Sequence, residues 1–398
     1  MKPEVAESFG MRVFSNQDYR DAMAGFARAE ALLDRAKAAM ISKETEPQPG
    51  RHAKTIADNY LRHRHALGEA TQALVRYRER LALEPDDRRR EDVCLEVLDR
   101  LLQESLKKAE TRLRDGLGHF YNGCRGNPAG EPALTPENVE FVNQVFNHYK
   151  REAAGEKSAA FHLDRIEDYR PQTPWVWKPA FPHGFPYTSF IEDTVQRLRS
   201  RDCEVDPLLF LALLRRESNF DASAVSHAGA VGLTQIMPGT ALDLGVRTVF
   251  YPDYMDEAGA LMDRERKARA QAMEALSGIR ESNKIEFAAK ARSLMQRTMD
   301  LSRQREKLLR RYRKDLLEGR ADDRLNPSVA IDFGYGHFCA LMKEHAGDIS
   351  LALAAYNAGT GRVKEYNGIP PFGETVRFRN RVLEYYRDYL RALTALDH

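Results

Sequence analysis

The sequence predicts a mainly α-helical chain: an all-helical N-terminal domain, a short irregular linker, and a C-terminal helical domain that carries an inserted helical hairpin. Three observations predict it. Stretches such as "QDYRDAMAGFARAEALLDRAKAAM" place apolar residues at helical spacing, and strand-type alternation is absent from the first 155 residues. Residues 169–187, "YRPQTPWVWKPAFPHGFPY", hold too many prolines to continue a helix. Between "GTALDLG" and "NPSVAI" runs a long segment with its own helical periodicity. A chain of 398 residues with 42% hydrophobic content can bury more than one core.

The N-terminal domain is expected over residues 1–168. Its helices are the stretch quoted above, "AKTIADNYLRHRHALGEATQALVRYRERLAL" and "EDVCLEVLDRLLQESLKKAETRLRDGL", with "ETEPQPG" and "LEPDD" as breaks. "GNPAGEPALTPEN" then precedes a further helix near 137–152. No clean fixed-period repeat emerges, so a tetratricopeptide array is only a distant analogy. Residues 169–189 are expected to be a linker rich in proline and aromatics.

The C-terminal domain, 190–398, opens on a helix whose signals are complete. Asp206 is a natural N-cap, Pro207 suits the first turn, and "LLFLALL" makes the helix a buried one that ends near Asn219. Glu217 therefore stands in the last turn. The apolar surroundings and the negative end of the helix dipole both favour its protonated form, and a carboxyl still protonated near neutrality can act as an acid. The alternative is a surface pair with Arg215, Arg216 or another arginine.

In "AGAVGLTQIMP" the residues Gly229, Ala230 and Gly232 permit tight turns, Gln235 offers an amide, and Met237 offers an adaptable apolar surface. A small strand element is expected over Gly232–Met237; the alternative is a glycine-rich turn beside a core methionine. "DISLALAAYNAGTG" reads as a second buried helix, capped by Asp348 and stopped by Gly359, whose end presents Tyr356 and Asn357 either to the core or to a cleft. The inserted hairpin is expected over about 252–324, from "DEAGALMDRERKARAQAMEAL" and "KIEFAAKARSLMQRTMDLSRQREKLLRRYRKDLLEG".

Charge excludes some functions. With 61 basic and 59 acidic residues, no global field draws the chain to nucleic acid or a membrane. Residues Asp256–Arg324 carry 18 basic and 13 acidic residues, but acids interrupt the basic run and make it a solvated helix face. No apolar stretch reaches the roughly 20 residues of a transmembrane helix, and "MKPEVAESFG" lacks a signal-peptide pattern. Cys94, Cys124, Cys203 and Cys339 form no CxxC, so neither a disulfide framework nor a zinc cluster is expected.

Read together and in order, "RESNF" at 216–220, "SHAGAVGLTQIMPGTA", "ALAAYNAGTGRV" and "GIPPFGET" resemble the catalytic domain of the soluble lytic transglycosylases, enzymes that cleave the glycan of bacterial peptidoglycan. The resemblance spans about 190–250 and 325–392. "RESN" recurs at Arg280–Asn283 without the flanking blocks, which makes that copy a coincidence.

The resemblance implies a lysozyme-like catalytic domain with a small β element. It also implies Glu217 as catalytic acid and then base, with Ser226, Gln235, Met237, Tyr356, Asn357 and Glu374 as substrate-binding residues. Without it, Ser226 would be a loop serine and Glu374 a carboxylate favoured at a helix N-terminus. No metal and no cofactor are implied. The chain departs from the family at Val376 and Phe378, where an arginine and a tyrosine are usual, at Ala330 and Ile331, and at His337 and Phe338. The reaction implied is non-hydrolytic cleavage between N-acetylmuramic acid and N-acetylglucosamine. A goose-type lysozyme and a non-catalytic glycan-binding scaffold are the alternatives. Implied partners are glycan strands, with an envelope protein engaged by the N-terminal helices or the hairpin as an option, and no nucleic acid. The substrate implies the periplasm or cell envelope, with an export signal trimmed away, or secretion or phage delivery instead.

Overall fold

A computed structural model describes residues 1–43, 50–110, 112–126, 130–153, 165, 169, 186–199 and 205–394. The chain is all α among these residues. In order run α1 (Pro3–Ser8), α2 (Gln17–Ile41), α3 (Arg51–Leu81), α4 (Glu91–Lys108), α5 (Leu113–Arg125), α6 (Val139–Ala153), α7 (Thr188–Arg199) and α8 (Pro207–Ser218). There follow α9 (Pro238–Asp243), α10 (Tyr254–Ser277), α11 (Lys284–Leu317), α12 (Pro327–Glu344), α13 (Ile349–Ala358), α14 (Thr360–Glu365) and α15 (Gly373–Thr394). One-turn 3-10 helices stand at Asp87–Arg89 and Asp323–Leu325.

Two compact units emerge: Met1–Phe9 with Glu91–Phe250 and Leu316–His398, and Gly10–Arg90 with Tyr251–Asp315. The helical hairpin predicted near 252–324 is present as α10 and α11, and "RESN" at 280–283 is its turn, where Asn283 Oδ1 accepts the Arg280 N–H at 2.7 Å. The division into units differs from the expected one in two ways. The hairpin joins α2 and α3, because small side chains face each other there: Ala36, Ala39, Ala53 and Ala57 share a core with Ala272, Ala275, Ala288 and Ala291. Conversely, α4–α6 belong with the helices around Glu217, since Leu117, Leu134, Val139 and Val142 complete that core. Most of the linker expected at 169–189 lies outside the described residues.

The unit that holds Glu217 is centred on α8. All seven residues from Leu208 to Leu214 are buried, each at 8% exposure or less, and each large one stabilises by roughly 1.5–3 kcal/mol on burial. Asp206 caps the helix through the Leu208 N–H at 2.9 Å and also accepts the Tyr386 hydroxyl of α15. Charges buried here are paired, as burial in low dielectric requires. Arg114 of α5 meets Asp348, the N-cap of α13, at 2.8 Å, and Arg379 of α15 meets Asp115 of α5 at 2.5 Å. Burial opposes ionisation of Asp115, yet Arg379 and Arg112 hold its carboxyl down to about 2.

One further expectation is corrected. The small β element does not form: among the described residues there are only isolated bridges, Val225 to Val231 and Val231 to Ile236. Left-handed backbone at Gly229, Gly232 and Gln235 curls the segment before a ladder can extend. Cys339 is disulfide-bonded, whereas Cys94 and Cys124 are thiols.

Candidate active site

Glu217 sits one turn beyond the last fully buried residue of α8. Asn219 and Phe220 then take left-handed φ values of 50° and 66°, which end the helix and turn the chain away. The neighbouring cations are engaged elsewhere: Arg215 stacks on Tyr385 at 4.1 Å and Arg216 lies 5.5 Å over Phe378. Among the described residues Glu217 makes no hydrogen bond or ion pair. Burial pushes its carboxyl up to about 8; Arg216 opposes the shift and the charge of Glu374 adds to it. The pairing with arginine that the sequence allowed therefore does not form, and the acid is kept protonated near neutrality.

Tyr356, at the end of α13, donates its hydroxyl to the Thr234 carbonyl at 2.8 Å. Burial, then the charge of Glu217, pushes its own ionisation well above the usual tyrosine range. It is a neutral donor beside the acid. His337 of α12 packs at a tilt against Tyr356 with centroids 5.5 Å apart, and burial lowers its pKa, so it packs as a neutral ring. Asn357 accepts from the Thr375 hydroxyl at 2.8 Å, which ties the end of α13 to the start of α15 where Glu374 stands exposed.

The loop after α8 is self-braced. Ser226 Oγ accepts the N–H groups of Ala228 at 3.2 Å and Ala230 at 2.9 Å, leaving its hydroxyl proton to be donated. The Gln235 amide nitrogen donates to Gly232 O at 2.8 Å and Ala224 O at 3.1 Å, so only its carbonyl end remains for a ligand. Gly232 has φ 79°, and a Cβ there would lie 2.0 Å from Arg324 O. Arg324 reaches from the 3-10 turn to the Ile236 carbonyl at 3.1 Å and thereby supports Met237, which is 41% exposed.

The electrostatics thus tie Glu217, Tyr356 and Glu374 together, with Thr234 and Gln235 in the loop that Tyr356 touches and Asn357 beside Glu374. Val376 and Phe378, the departures noted above, point inward at 1% exposure each. Asp221 turns onto Ser223 at 2.8 Å and is exposed. Sequence reasoning missed Thr234, Thr375 and Arg324, which act on the site through other groups. For Arg324 the signal was "DDR" at 322–324, an Asx-type capped turn.

Residues 197–263 and 273–375 match the family described as the transglycosylase SLT domain. Two solved structures match as well. An inactive mutant of the lytic transglycosylase Slt from Pseudomonas aeruginosa is 16% identical with a TM-score of 0.30, over 96% of this chain and 53% of that one. The 70 kDa soluble lytic transglycosylase from Escherichia coli is 15% identical with a TM-score of 0.29, over 99% of this chain and 66% of that one. The chain spans about half to two thirds of the length of those structures. The segments that carry Glu217 and Glu374 are thus similar to the transglycosylase SLT domain, over less than half of the chain.

Proposed function

We propose that the protein is a peptidoglycan lytic transglycosylase in which Glu217 serves first as acid and then as base. The observation that carries this reading is a carboxyl raised to about 8 and, among the described residues, without an ion pair, at the end of a buried helix. A glycosidase with two carboxylates in play needs one ionised as nucleophile or base; a substrate whose own N-acetyl group attacks needs only the acid. Glu217 gives its proton to the bridging oxygen between N-acetylmuramic acid and N-acetylglucosamine as the C1–O bond breaks. The acetamido oxygen bonds to C1. The Glu217 carboxylate then takes the C6 hydroxyl proton, and O6 displaces the acetamido oxygen to close the 1,6-anhydro ring. No water is consumed, and no metal or organic cofactor takes part in these steps.

Tyr356, Ser226, the Gln235 carbonyl, Met237, Asn357 and Glu374 are proposed to contact the sugars; Glu374 also raises the acid by its charge. The substrate lies outside the cytoplasmic membrane, so action in the periplasm or envelope belongs to the proposal. No described helix is long and apolar enough to cross a membrane. Purified sacculi digested with the protein test it. Mass spectrometry should find 1,6-anhydromuramoyl ends, lost in Glu217→Gln. Reducing muramic acid ends would make it a lysozyme, and intact glycan a scaffold.

A further inference from the structure

The polar clasps that hold α6 against the segment after α14 also wall a pocket. Asn143 donates to Ile369 O at 2.8 Å and accepts the Ile369 N–H at 3.1 Å, and Asn147 donates to Asn367 O at 2.7 Å. On the far side α12 ends at Glu344, and left-handed backbone at Ala346 and Gly347, with φ 54° and 84°, turns the chain into α13. Between these walls lies a cavity of about 180 Å³, lined by none of the residues assigned above to the site around Glu217. At about 30 Å³ per water-sized group, it has room for about six non-hydrogen atoms.

Charge around this cavity does not balance. Arg114 is buried and forked onto Asp348 at 2.8 and 3.1 Å, and Lys364 pairs with Glu344 at 2.9 Å. Lys150 of α6 is half-buried and, among the described residues, makes no hydrogen bond or ion pair; its ammonium lies 5.0 Å from the centre of the Phe146 ring, which Arg114 shares at 4.3 Å. Burial lowers the Lys150 pKa; Asp348 opposes the shift and Arg114 adds to it. His345 lines the same cavity with its Nε2 buried and, among the described residues, without a hydrogen-bond partner. Burial lowers its pKa against the pull of Glu344 and Asp348, so the ring is neutral and can carry its proton on Nε2. A half-buried cation without a counter-ion and a buried nitrogen without a partner each cost free energy. One anionic group with two oxygens satisfies both.

We propose that this cavity binds the carboxylate of a small acid or of a peptide chain end, one oxygen on Lys150 Nζ and the other on the His345 Nε2–H. Charge selects this class over phosphate. With Arg114 and Lys364 already neutralised, Lys150 leaves one positive charge, which a carboxylate matches. A phosphate monoester brings about −1.5 to −2 and leaves the excess in a half-buried site. The clasps through Asn143 and Asn147 hold the walls in place before a ligand arrives, which spares the cost of ordering them.

Isothermal titration of the full chain with propionate and with N-acetyl-diglycine tests this, with propionamide and inorganic phosphate as comparisons. The expected result is saturable one-to-one binding of a carboxylate with Kd at or below about 5 mM, no saturation with propionamide, and phosphate weaker by at least about fivefold. Whichever carboxylate binds more tightly names the source, free acid or chain end. Lys150→Met and His345→Phe should each weaken binding at least about tenfold, as the loss of a charge-assisted hydrogen bond does. Lys150→Met keeps the apolar stem and removes an unpaired charge, so it stays folded and readable should His345→Phe unfold the chain. Glu217→Gln should bind as the parent does. The proposal is overturned if neither carboxylate saturates by about 50 mM, if propionamide or phosphate binds as tightly, if Lys150→Met binds like the parent, or if Glu217→Gln abolishes binding.

Discussion

The Tyr356 hydroxyl donates to the Thr234 carbonyl at 2.8 Å, and through this one bond the end of α13 is fastened to the loop that precedes Gln235. The ring is simultaneously wedged by Phe338 and His337, with centroids 6.0 and 5.5 Å away. Packing fixes where the ring is; the hydroxyl fixes where the loop is.

Tyr356→Phe separates those two roles. Packing survives, and a carbonyl in a buried residue loses its donor, so stability should fall by about 1–2 kcal/mol. Activity on sacculi should fall further than that loss of folded protein explains. Urea unfolding beside turnover at equal folded fraction checks it, and unchanged turnover would remove Tyr356 from the site.

The pH profile follows from Glu217. Its proton is needed for bond cleavage, so turnover should decline as pH rises through about 8. Replacing Glu374 by Gln removes a like charge and lowers the Glu217 pKa, so the alkaline limb should move to lower pH. A limb that stays in place in Glu374→Gln would mean that the two carboxyls do not sense each other.

The same shift acts on folding. The Glu217 carboxyl titrates near 8 when folded and near the ordinary 4.5 when unfolded. Between those values the folded state binds the extra proton, so stability decreases as pH rises through the window. Glu217→Gln removes that dependence and should raise Tm relative to the parent at pH 8 but not at pH 4. Calorimetry at the two pH values reads it directly, and equal differences at both would contradict the raised pKa.

Gly232→Ala places a methyl group 2.0 Å from the Arg324 carbonyl at a φ of 79°. Strain of this kind costs roughly 1–3 kcal/mol, and the loop can relieve it only by moving the segment that carries Gln235 and Met237. A lower Tm together with a larger loss of glycan cleavage is expected. Wild-type values of both would show that the close approach is not needed.

α8 was legible from sequence because its determinants are local: Asp206 to cap it, Pro207 to start it, an unbroken apolar run to bury it, and Asn219 to stop it. The raised pKa of Glu217 followed from the same local facts. The hairpin at 252–324 was legible as two helices for the same reason. What covers its alanine face was not, because a partner 236 residues away in sequence leaves no local mark. Gln235 reads as a sugar contact in the motif, yet its nitrogen is consumed by Ala224 and Gly232, a choice made by the curl of the loop. Val376 and Phe378 looked like missing polar groups, whereas the rotation of α15 turns both into the core. The sequence by itself determined where helices begin and end and which carboxyl lies at the end of a greasy one, since caps, periodicity and burial act over a few residues. Only the tertiary structure decided which side chains meet, because the docking of α6 beside α13–α14 and of α2–α3 on α10–α11 depends on the complementarity of distant faces.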